Sequence, residues 1–109
     1  MNDKELLEMA AKAAGLCFTW RPYGGYISVD GSIPWNPLTN DADALRLAVT
    51  LKLDIFTGQG DTNITCVSIP QEYDAESVSE RHNNDPYTTT RRAIVRAAAE
   101  IGRRIECPN

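Results

Sequence analysis

Apolar positions recur at helical intervals at the start of the chain and then switch to alternation. Leu6, Met9, Ala10 and Ala13 share one face of a helix over residues 3–14, with Lys4, Glu8 and Lys12 opposite as i,i+4 charge pairs. Asn2 stands at the cap, Glu5 three residues on completes a capping box, and Gly15 supplies a stop. Two β-rich runs follow, residues 17–21 and 26–29, joined by Pro22-Tyr23-Gly24-Gly25, which predicts a hairpin. Residues 30–34 read as an irregular exit. A second helix is predicted over residues 41–53 with Thr39 or Asn40 as its cap. Its Ala44, Leu45, Leu47, Ala48, Val49 and Leu51 cover more than half the circumference. An arc so wide is expected on the best-buried helix, lying on a sheet with neighbours at its flanks.

Residues 54–57 and 63–69 form a second strand pair around a loop at 58–61, and Pro70 ends it because proline has no N–H for a ladder. Residues 71–85 are acidic and polar, with only Tyr73 and Val78 to bury. They read as a mobile connector, with a short helical turn an option at 75–81. A third helix starts near Pro86 or Thr88, with Asp85 as its cap, and runs to about Ile105. Ile94, Ala97, Ala98, Ile101 and Ile105 share one face, and the alanines permit close approach to a partner surface. The order is αββαββα in a single domain over residues 1–109. The expected fold is α+β, a three-layer α/β/α sandwich around a four-stranded antiparallel sheet.

Charge adds one feature to this picture. The net charge is −4, which does not favour nucleic acid, but it is unevenly spread. Residues 1–69 carry −3, residues 70–85 carry −4 and residues 86–109 carry +3, so a basic helix stands behind an acidic connector. Cys17, Cys66 and Cys107 are odd in number and lie far apart, which fits a reducing cytoplasm better than a disulfide framework. The charged N-terminus does not read as a signal peptide, and the apolar runs fall far short of the ~20 residues a membrane span needs. A soluble, cytoplasmic protein is expected.

Two blocks carry a family resemblance. One is Trp35-Asn36-Pro37-Leu38 with Asp41, Asp43 and the apolar run 44–49; the other is Asp85-Pro86 with the arginine- and alanine-rich run 90–102. Together they resemble small bacteriophage proteins of the ABA-sandwich domain family, NinX-like. The resemblance implies an α/β/α sandwich and a phage or prophage origin in a bacterial host cell. It implies no activity and carries over no catalytic residue.

The candidate sites are few. Arg92, Arg96 and Arg103 fall within about 40° of one another on a 3.6-residue helix. Such a stripe can grip phosphates, or it can be a solvated face, paired with Glu100 or with the acidic connector. Asp41 and Asp43 suit a helix first turn better than an acid/base pair. The cysteines and His82 lack ligand spacing, so neither a metal nor a cofactor is expected. Trp35, Asn36 and Pro37, with Tyr23 and Tyr26 at the hairpin tip, are candidates for partner contact, although Trp35 also suits a structural staple. The favoured expectation is a non-enzymatic accessory protein that binds a host or phage protein. Nucleic-acid binding through the arginine stripe is the alternative. A small-molecule site near Trp35 and Asp41 is a third option, and uncovered apolar surface leaves homo-oligomerisation open.

Overall fold

Asn2 caps the first helix as its position predicts, its Oδ1 accepting the Glu5 N–H at 2.8 Å. The computed structural model describes residues 2–58, 63–82 and 85–106. Helix α1 spans Asp3–Ala13 and buries Leu6, Leu7, Ala10 and Ala11. Strands β1 (Phe18–Arg21) and β2 (Tyr26–Val29) form the predicted hairpin, with Phe18 opposite Val29 and Arg21 opposite Tyr26. Gly24 and Gly25 turn it with φ of +97° and +62°, values that side-chain-bearing residues rarely adopt.

The expected four-stranded sheet does not form. Each hairpin instead gains a third strand, giving two separate antiparallel sheets. Asp30 and Gly31 take φ of +48° and +98° and reverse the chain. Strand β3 (Ile33–Trp35) then pairs back on β2, with Ile27 opposite Trp35 and Val29 opposite Ile33. Pro34 is tolerated because β3 is an edge, where one side of the strand gives no hydrogen bonds to the sheet. In the second sheet β4 (Asp54–Phe56) pairs with β5 (Ile64–Ser68), and β6 (Val78–Arg81) adds on the far side of β5. The stretch read as polar connector therefore contains a strand. A 3-10 turn at Gln71–Tyr73 precedes it, ended by Asp74 in the left-handed region. No helical turn forms at 75–81. The hairpin loop at 58–61 lies outside the described residues except for Gly58.

The expected sandwich is replaced by an arrangement around the third helix. Helix α3 (Pro86–Glu106) touches α1 along much of its length, lies across β5 and β6, and meets α2 (Asp41–Thr50). It buries Ala93, Ile94, Val95, Ala97, Ala98, Ala99 and Ile101. The alanines do what their size allows: at Gly102 an added Cβ would lie 2.8 Å from the Met9 carbonyl carbon of α1. Helix α2 is not the best-buried helix. It buries Ala44, Leu47 and Ala48, while Leu45 and Val49 stay exposed, because no continuous sheet lies beneath its wide apolar arc.

Alternation places Thr65, Val67 and Val78 on the face of the second sheet that meets α3, and all three are buried. Asp54, Phe56, Ile64 and Arg81 fall on the opposite face, which is open to solvent. Among the described residues no helix is long and apolar enough to cross a membrane.

Candidate functional site

The start of α2 is built from side chains that bond to nearby backbone. Asn40 caps the helix, its Oδ1 accepting the Asp43 N–H at 2.9 Å. The Asp43 carboxylate accepts the Asn36 N–H at 3.0 Å, and Asn36 Oδ1 accepts the Leu38 N–H at 3.0 Å. The start of α3 is built the same way around Asp85. Its carboxylate accepts from the Tyr87 N–H at 3.0 Å and from the Thr88 hydroxyl at 2.6 Å. These bonds, the Thr88 hydroxyl's first, lower the Asp85 pKa below its ordinary value and keep the group ionised.

Arg91 ties the two helix starts together. Its Nε donates to the Leu38 carbonyl at 2.9 Å, its Nη1 to Asp41 Oδ1 at 2.5 Å and its Nη2 to Thr88 Oγ1 at 3.1 Å. A guanidinium suits this task because its donors lie in a rigid plane and keep their charge. Arg91 falls outside the stripe that the helical period picks out. Leu38 and Asp41 lie 53 and 50 residues away from it, and no local pattern announces them.

Between these helix starts and β4 lies a cleft of about 530 Å³. Buried Ala44 and Ile94 and half-buried Ile55 form its floor. Leu45 and Tyr87 stand at its rim, 61% and 72% exposed, and Arg91, Asp41, Thr90 and His82 supply its polar margin. A volume of this size falls in the usual range for ligand sites, about 300–1,000 Å³, and a mostly apolar lining with a few polar groups is their usual composition.

Behind the cleft, Thr65 Oγ1 lies 2.5 Å from His82 Nε2 and 2.9 Å from Thr90 Oγ1. The chain joins β5, the residue after β6 and α3. A hydroxyl beside an imidazole is the pairing that nucleophilic catalysis uses. Thr65 is 0% exposed, however, so its hydroxyl is enclosed, while half-buried His82 lies on the cleft margin. The arrangement works as a clasp that satisfies a buried hydroxyl.

The other predicted residues are scattered. Trp35 is 7% exposed and part of the core, Pro37 is buried and Asn36 half-buried. Tyr23 is 94% exposed at the hairpin tip, with Tyr26 beside it at the surface. Asp41 lines the cleft while Trp35 borders a separate hollow of about 270 Å³, so the two do not share a site.

Each arginine of the stripe meets a carboxylate. Arg92 reaches Asp3 at 3.3 Å and Glu80 at 3.7 Å, Arg96 pairs with Glu80, and Arg103 meets Glu100 at 2.7 Å. Glu80 belongs to the acidic stretch, so that stretch is itself a partner of the stripe. Cys17 is exposed and Cys66 half-buried, each in its own sheet region, and Cys107 lies outside the described residues. No known protein family, curated protein or solved structure matches this chain.

Proposed function

We propose that the chain is a non-enzymatic protein-binding module whose partner docks at the cleft between α2, β4 and the first turns of α3. The observation that carries this reading is the cleft's composition: an apolar floor rimmed by Leu45 and Tyr87, both largely exposed. Aromatic anchors such as tyrosine, set beside a concave apolar surface, are common energetic centres of protein interfaces. Burying such surface contributes about 25 cal/mol per Å², so these two side chains have free energy to gain from a partner.

Two further observations support the reading. The Thr65 hydroxyl is buried, which weighs against its use as a nucleophile paired with His82. Phosphates would also have to displace Asp3, Glu80 and Glu100 from the arginine stripe, which weighs against nucleic acid as the partner. Placing that partner among host or phage proteins rests on the two sequence blocks alone, because the fold departs from the sandwich that the resemblance implied.

The test is affinity capture from a lysate of the native cells. The wild-type chain should retain a discrete protein, Leu45→Asp should lose it, and a variant with Arg92, Arg96 and Arg103 all changed to glutamine should keep it. Retention that survives Leu45→Asp but fails with the arginine variant overturns the reading, as does retention of nucleic acid alone.

A further inference from the structure

The two sheets leave four strand edges, and three of them carry devices that discourage pairing. In β3, Pro34 removes a donor. In β6 the Ser79 carbonyl accepts from Arg96 at 3.4 Å, and charged Glu80 and Arg81 follow. In β1 the chain runs into Pro22, and the Lys4 ammonium from α1 sits 5.2 Å from the centre of the Trp20 ring. Edge β4 is guarded less. It is three residues long and carries the charge of Asp54, but it holds no proline and no lysine. Among the described residues no strand lies on its outer side.

Edge β4 also borders the cleft. Ile55 points into it, while Phe56 falls on the opposite face of the sheet and is 57% exposed. A strand added along β4 would alternate in the same way. Every second side chain would enter the cleft beside Ile55, and the intervening ones would lie beside Phe56. With only three residues in β4, the main chain supplies few hydrogen bonds, so the cleft must supply much of the affinity. The charge around the site sets the partner's sign. Asp54 and Asp85 are exposed carboxylates, Asp41 and Arg91 neutralise each other, and exposed Lys52 offsets part of the remaining negative charge.

We infer that the occupant is an extended peptide segment of a partner protein that adds as a strand to β4, with apolar residues at alternate positions and lysine or arginine at its flanks. This rests on the cleft being the docking site. It adds the partner's conformation and charge.

The probe is a synthetic nine-residue peptide of alternating valine and threonine with two lysines at each end. It is titrated into the full chain and followed by amide NMR shifts. Shifts should centre on Ile55, Phe56 and Thr57. The exposed-site variant Leu45→Asp, checked for an unchanged fold by circular dichroism, should weaken binding about tenfold or more, because it sets a carboxylate against the apolar side chains that enter the cleft. Methylating the peptide backbone nitrogens that face β4 should weaken it by about tenfold, the loss of a hydrogen bond or two. Exchanging lysines for glutamates should also weaken it, and added salt should narrow the difference between the two peptides.

Equal binding of the methylated peptide overturns strand addition and leaves the cleft standing as a side-chain site. Equal binding of the glutamate peptide overturns the charge assignment. If no peptide binds, or if the chain instead self-associates through β4, this inference fails while the Leu45→Asp capture experiment still decides the cleft. Shifts confined to the arginine stripe or to Tyr23 overturn both.

Discussion

Changing Gly102 to alanine sets two known effects against each other. Alanine stabilises a helix interior by about 1 kcal/mol relative to glycine, so an unobstructed Gly102→Ala would gain stability. Here the new Cβ would overlap the Met9 carbonyl of α1, lying 2.8 Å from its carbon and 3.2 Å from the Met9 Cα. Carbon atoms rest at about 3.5–4.0 Å, so α1 must retreat by roughly 1 Å. The obstacle is backbone and cannot rotate away. The retreat also loosens the seam where Ala10 and Ala11 of α1 and the alanines of α3 are buried.

Overpacking of this kind costs about 1–3 kcal/mol. A rigid backbone obstacle places this case near the top of that range, leaving a net loss of about 1–2 kcal/mol after the helix-propensity gain. At about 4–8 °C per kcal/mol for a domain near this size, Tm should fall by roughly 5–15 °C. Urea and thermal unfolding followed by far-ultraviolet circular dichroism measure both quantities. Trimming the Met9 side chain in the same protein should not rescue the loss, because the clash is with the main chain. A Gly102→Ala protein as stable as wild type, or more stable, would refute the close α1–α3 approach and with it the central place of α3.

Other substitutions test neighbouring parts of the structure. Trp35→Ala should cost about 3–5 kcal/mol in the same unfolding assays as a buried aromatic, whereas Tyr23→Ala should stay within about 0.5 kcal/mol; the reverse order would return Trp35 to the surface. Glu80→Gln leaves Arg92 and Arg96 exposed to water, so the loss should be below about 1 kcal/mol and shrink with added salt. Asp85→Ala should lower Tm at neutral pH. Because the folded pKa lies below the ordinary 3.8, Asp85's contribution is present above that value and is lost as pH falls through the folded pKa. The gap between variant and wild type should therefore close only in strong acid; a gap that closes near neutrality would contradict the bonds from Thr88 and Tyr87.

Local signals carried most of the elements. Asn2, Asn40 and Asp85 mark the three helix starts with short polar side chains, and Gly24-Gly25 marks the first hairpin. What they did not carry is how distant pieces pair. Strand β3 was hidden by Pro34, although Asp30-Gly31 before it is a turn signal that points to a second hairpin. Strand β6 was hidden by Ser79-Glu80-Arg81, whose polarity suits a loop. Glu80 suits a strand only because Arg92 and Arg96 are supplied from α3.

The arginine stripe was visible from the helical period, and the acidic stretch was one of its foreseen partners. The cleft was not visible. Leu45 comes from α2, Ile55 from β4, and Tyr87 and Ile94 from α3, and Leu45 had been assigned to an arc expected to be covered. Leu45 and Val49 of that arc stay uncovered because the strands divide between two sheets, a matter of long-range pairing that periodicity does not encode.

The most direct measurement of the docking site is photo-cross-linking in the native cells, with a benzophenone side chain placed at position 45, at position 23 or at position 103. The cleft reading predicts a discrete protein adduct from position 45, with little from the hairpin tip and no nucleic acid from the arginine stripe. Adducts confined to position 23 or 103, with none at 45, would contradict it.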